Sequence, residues 1–145
     1  MHSRILVLDK DAELDLDSMF EEMRSYGNGV DYITESESPF EDDYSWFMGF
    51  AVDLGFNSTP KRDGFMIYHD CFFWDKMEQD IRDILDERGI RGINRWEIED
   101  RAGMKRGFWF YYDGQLLTFP YFMEYYAKGD EHRGFKIYKF LDYHY

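Results

Sequence analysis

Apolar and polar positions change period several times along the chain, and each change marks an element. Residues Ile5 to Leu8 form a short apolar run that predicts a buried strand. From Ala12 the period becomes helical: Leu16, Met19, Phe20 and Met23 fall on one face, and Glu13, Asp17 and Glu21 on another. Asp9 or Asp11 is the expected cap of this helix, and its stop is expected between Ser25 and Gly29. "VDYITES" reads as a strand, "SPFEDDYSWF" as an acidic turn leading into another element, and Gly55 to Gly64 as a loop.

The second half repeats the alternation. "GFMIYHDCFFW" predicts a buried strand, followed by a helix capped at Asp75 with Glu78 three residues on. That helix is expected to bury Met77, Ile81, Ile84 and Leu85, to pair Glu78 with Arg82, and to end at Gly89. "GFWFYYDGQLLTF" predicts a hairpin turning at Asp113-Gly114. Thr118 is placed to cap a short helix with Pro120 in its first turn, and "GFKIYKFLDYHY" alternates like a closing strand. The expected architecture is α+β: one compact domain over residues 1–145, a mostly antiparallel sheet with two or three helices packed on it.

Composition sharpens this picture. Thirty acids against 17 bases leave a formal charge of −13, yet aromatic residues make up 21% of the chain, which predicts a folded body rather than an acidic disordered tail. Through Asp43 there are 13 acids and 3 bases, a net of −10; the remainder holds 17 acids and 14 bases, a net of −3. No apolar run reaches the length of a membrane span and no signal peptide is recognisable, so a cytoplasmic protein is expected. The single cysteine, Cys71, excludes an internal disulfide framework and a thiolate zinc cluster.

Four constellations bear on chemistry. Asp9, Asp11, Glu13, Asp15 and Asp17 occupy alternate positions, as in a calcium loop, but Leu14 stands where that loop needs glycine and Phe20 where it needs a bidentate glutamate. A strand ending in Asp9-x-Asp11 resembles the opening of haloacid-dehalogenase-type phosphatases, which would make Asp9 the nucleophile and Asp11 the proton shuttle; Glu13 departs from that family's usual Thr or Val. "RILVLDKDAE" and "VDYITESES" resemble the start of phospho-receiver domains, implying Asp53 as phospho-acceptor and Asp9 as a magnesium ligand. His69 and Cys71 are two apart on the expected strand, a spacing that suits two buried side chains better than a catalytic pair.

Residues 87–112, "ERGIRGINRWEIEDRAGMKRGFWFYY", resemble the helix-turn-helix of TetR-type repressors. That likeness implies DNA contacts from Arg91, Lys105 and Arg106, and the stretch from Arg88 to Arg106 is locally basic, with six bases and three acids. Arg95 and Glu99 depart from it, standing where the family packs small or apolar side chains.

The remaining reading concerns the acids themselves. Glu13, Asp17 and Glu21, reinforced by Glu35, Glu37, Glu41, Asp42 and Asp43, are expected to form one electronegative face, with Tyr44 and Trp46 beside it as anchors and Tyr32 and Phe40 as further aromatic candidates. In physical type the chain is similar to the small acidic inhibitors of mobile elements, the anti-restriction and anti-CRISPR proteins, and to immunity proteins that neutralise nuclease toxins. The expected function is therefore that of an inhibitor that fills the basic nucleic-acid site of a partner protein, with no catalytic residue, metal or cofactor. A DNA-binding regulator is the alternative, and a magnesium-dependent phosphotransfer or receiver-like domain using Asp9, Asp11 and Asp53 the second.

Overall fold

The computed structural model describes residues 1–27, 29–68, 73–92, 107–127 and 133–145. Its elements run β1 (His2–Val7), α1 (Leu16–Ser25), β2 (Tyr32–Glu35), α2 (Phe40–Ala51), β3 (Asn57–Ser58), β4 (Gly64–Ile67), α3 (Phe73–Arg88), β5 (Trp109–Tyr112), β6 (Gln115–Thr118), α4 (Phe119–Tyr126), β7 (Arg133–Lys136) and β8 (Lys139–His144). Short 3-10 turns follow α2 at Val52–Leu54 and α3 at Ile90–Gly92. One sheet has the order β2-β8-β1-β5-β6 and the other β3-β4-β7. Among the described residues only β1 and β5 run parallel; every other pairing is antiparallel. The α+β expectation holds, with four α-helices among the described residues rather than two or three.

Strand alternation decides which helix covers which face. On β1, Ile5 and Val7 pack with Met19 and Met23 of α1, while Leu6 and Leu8 pack with Tyr44 and Phe47 of α2 and Phe122 of α4. Trp109 and Phe110 of β5, and Leu116 and Leu117 of β6, divide between the same two clusters. Successive strand residues point to opposite faces, so α1 lies on one side of the five-stranded sheet and α2 and α4 on the other. The second side also receives Phe65 of β4 and Phe135 of β7, and its aromatic rings interlock: Phe110 stacks on Phe122 with centroids 4.3 Å apart. Each such fully buried side chain contributes roughly 1.5–3 kcal/mol relative to exposure.

Several local expectations need correction. The helix α1 begins at Leu16, and its cap is Asp15, whose carboxylate accepts the Ser18 N–H at 3.0 Å. Asp9 is committed elsewhere: its two carboxylate oxygens accept the N–H groups of Asp113 and Gly114, each at 2.9 Å. These two residues have φ of 53° and 69°, the left-handed pair that a two-residue hairpin turn needs, so Asp9 clamps the β5–β6 turn. Glu13 consequently precedes α1, and only Asp17 and Glu21 of the expected row share the helix.

In the second half, α3 starts at Phe73, two residues before the expected cap. It ends where Gly89 donates to the Leu85 carbonyl at 2.7 Å. Of its apolar set only Ile84 is fully buried, and Leu85 is exposed. The expected loop at Gly55 to Gly64 contains β3. The closing segment is two strands in different sheets, because the chain crosses over at Ile137 and Tyr138: Ile137 donates to Asp63 and Tyr138 to Val7. At Gly64 a Cβ would lie 2.1 Å from the Phe135 carbonyl oxygen, so β4 and β7 approach closely only because that residue lacks a side chain.

Candidate protein-binding face

An ion-paired hub sits on the α2 side of the sheet. Arg4 follows the parity of Leu6 and Leu8, which aims it at α2. Its Nε donates to Asp43 Oδ1 at 2.8 Å and its Nη1 to Asp142 Oδ1 at 2.7 Å. Asp142 is its cross-strand neighbour on β8. Ser36 Oγ donates to the other Asp43 oxygen at 2.6 Å. The Asp43 side chain is only 4% exposed and Arg4 12%, so the pair is desolvated and depends on these complementary bonds. The guanidinium also lies 5.1 Å from the centroid of Trp46, a cation–π contact.

The hub determines what lies around it. Bonding of Ser36 to Asp43 ties the connection that carries Glu37 to the first turn of α2, which carries Glu41 and Asp42. Glu37, Glu41 and Asp42 are all exposed. One turn along the outer face of α2 from Asp42 stands Trp46, 46% exposed, and another turn on Phe50, 45% exposed. Neither aromatic ring is loose: both lie against buried Phe108, with centroids 5.4 Å away in each case. The result is a fixed aromatic ridge with carboxylates at its end. Three anions and two large rings on rigid support suit a cationic protein surface that also offers apolar contact.

The expected site residues separate into groups. Asp43 and Tyr44 are withdrawn from any partner: Asp43 is held by Arg4 and Ser36, and the buried Tyr44 hydroxyl bonds to Ser58 and the Gly64 carbonyl. Glu35 is exposed at the end of the edge strand β2 and pairs with Lys139 at 2.9 Å. Tyr32 is exposed and stacks on His144, while Phe40 is half-buried between Tyr44 and Phe140. Glu13, Asp17 and Glu21 belong with α1 on the far side of the sheet. The acids that precede residue 44 therefore do not form one continuous face; the sheet divides them.

The α1 side has its own feature, a groove of about 380 Å³ between that helix and the β5–β6 hairpin, whose lining includes Glu13, Asp15, Glu22, Tyr26, Tyr111 and Tyr121. Partial burial raises the pKa of Glu22 above the ordinary carboxylate value. Sequence reasoning missed Glu22 and Phe50. Phe50 was legible as the residue one turn after Trp46, once a helix is placed there.

The other constellations fare less well. Asp11 is exposed with a φ of 54°, Asp53 lies in a 3-10 turn outside both sheets, and Asp9 is engaged by the hairpin, so nothing gathers the three into a phosphotransfer centre. Among the described residues no group of three His, Cys, Asp or Glu side chains is placed to hold a metal ion. His69, Cys71, Arg95, Glu99, Lys105 and Arg106 lie outside the described residues. The end of the repressor-like stretch does not: Trp109 to Tyr112 form β5, an internal strand, where the likeness implies a recognition helix. Among the described residues no helix is long and apolar enough to cross a membrane. Comparison with known proteins yields no matching family model, no matching curated protein and no matching solved structure.

Proposed function

We propose that this protein is an acidic inhibitor that seats itself in the basic nucleic-acid groove of a partner protein and blocks it by charge mimicry. The observation that carries this reading is the locked grouping of Glu37, Glu41 and Asp42 beside the exposed ridge of Trp46 and Phe50. Carboxylates on rigid support offer such a groove the cue that phosphates offer it, fixed negative charge, and the aromatic side chains supply contact area that phosphates lack. A formal charge of −13 speeds the encounter with any cationic surface. The acids of α1 lie across the sheet and take no part in this contact.

The test is affinity capture from a lysate of the source organism at low and high salt. At low salt the protein recovers a nucleic-acid-binding protein, and high salt or added duplex DNA releases it. Trp46→Ala weakens the complex by about 2 kcal/mol or more, roughly thirtyfold, as for an aromatic anchor. The triple variant Glu37→Gln, Glu41→Gln, Asp42→Asn loses both the partner and the salt dependence. Undiminished capture by that triple variant, or recovery of DNA without a partner protein, sinks the proposal.

A further inference from the structure

The groove between α1 and the β5–β6 hairpin follows a sheet edge. β6 is the last strand of the five-stranded sheet, and every residue from Gly114 to Thr118 lines the groove. Leu116 and Leu117 are buried in clusters on opposite faces of the sheet, so what both give the groove is the backbone rim of the strand. In a two-residue hairpin the residues flanking the turn exchange both backbone hydrogen bonds, and the bonded pairs then alternate. Tyr112 and Gln115 are such a pair, so Leu116, opposite Tyr111, turns its N–H and C=O away from β5. Tyr111 obeys the same alternation on the other side, its carbonyl accepting the Leu8 N–H at 2.9 Å. Two residues further on, the Thr118 N–H points outward in the same way.

The opposite wall of the groove is α1. Asp15, Ser18, Met19, Glu22 and Tyr26 line it at helical spacing, so one stripe of α1 faces the open edge. Among the described residues the charged lining is Glu13, Asp15 and Glu22, three acids with no base. Neither Glu13 nor Glu22 is paired with a base among those residues, and Glu22 is partly desolvated. The occupant must bring backbone hydrogen bonds and positive charge together. A second copy joined edge to edge brings the first but sets these acids against their own copies, and nucleic acid carries the wrong sign. An extended segment with lysine or arginine at alternate positions brings both. Its basic side chains lie roughly 7 Å apart on one face, a spacing they can adapt to Asp15 and Glu22, about 10 Å apart along α1. We propose that the β6 edge and α1 form a docking groove for an extended basic segment of a partner protein, added to the sheet as a further strand. The groove lies across the sheet from the α2 face and does not depend on it.

The probe is a short fluorescently labelled peptide alternating lysine with threonine, titrated with the whole protein and followed by anisotropy. Saturable one-to-one binding is expected, and its absence overturns the proposal. Two analogues, N-methylated at every lysine or at every threonine, keep the charge but block opposite edges of the peptide strand. Their affinities are expected to differ about tenfold or more, because only one set of methyl groups meets β6; equal affinities overturn strand addition. Glu13→Gln with Glu22→Gln is expected to weaken binding by about tenfold or more. Asp17→Asn with Glu21→Gln takes the same charge from α1 outside the groove and is expected to weaken it less than about threefold. Equal losses from the two pairs, with native circular dichroism in both, overturn the groove as the site.

Discussion

Two side chains illustrate how single residues govern this molecule. Asp43 looks from its neighbours Glu41 and Asp42 like one more surface acid, yet it is the one turned inward to meet Arg4. Asp43→Ala leaves a desolvated guanidinium with one of its two carboxylates and frees the Ser36 hydroxyl, so a loss of roughly 3–5 kcal/mol is expected in urea unfolding. Glu41→Ala, one helical face away and exposed, stays within about 0.5 kcal/mol of the parent in the same measurement. Tyr143 is the second case. Burial raises its phenol pKa well above the usual value, and its hydroxyl donates to the Gly107 carbonyl. The unfolded chain therefore releases this proton at lower pH than the folded one. Stability from Tyr143 is complete below the ordinary tyrosine value of about 10 and declines as pH climbs beyond it. Absorbance titration of the native protein should leave the Tyr143 phenol un-ionised until alkaline unfolding, and Tyr143→Phe should remove that delayed step.

At the level of elements, legibility depended on whether the deciding interaction was local. The Asp113-Gly114 hairpin and the Thr118 cap, which accepts the Tyr121 N–H, rest on residues within a few positions of each other and were readable. The cap of α1 was not, because Asp15, which caps it, has the same side chain as the expected Asp9 and Asp11. The choice falls to Asp15 because Asp9 is taken by a turn 104 residues away. Asp15→Ala is accordingly expected to cost about 0.5–2 kcal/mol in thermal or denaturant melts. Asp11→Ala, at a position outside the helix, should cost less. The closing segment misled for a related reason: its alternation is continuous, and nothing local announces that its two halves join different sheets. α3 shows the converse, an apolar spacing that implies burial but leaves Leu85 exposed.

For the molecule as a whole, the sheet is the partition that matters. The unbroken apolar run of β1 predicted a buried strand, but not which acidic helix would cover each face, so a charge excess concentrated in the sequence became two separated surfaces. The two sets can be told apart by experiment. Asp17→Asn with Glu21→Gln removes two charges from the α1 side and should lower partner affinity only slightly, through the weaker general field. Glu41→Gln with Asp42→Asn removes the same number beside Trp46 and should raise the dissociation rate tenfold or more in a surface-capture assay. Equal effects from both pairs would mean that overall charge, and not the α2 face, sets the affinity.

The placement of β1 has one more consequence. This first strand lies between β5 and β8, and both of its neighbours are encoded more than a hundred residues downstream. As the polypeptide leaves the ribosome, the acid-rich leading third has no strand partner until β5 emerges, and β2 none until β8. Chaperones and proteases meet it first as an open, highly anionic thread, and acquisition of native structure is a late, nearly all-or-none event.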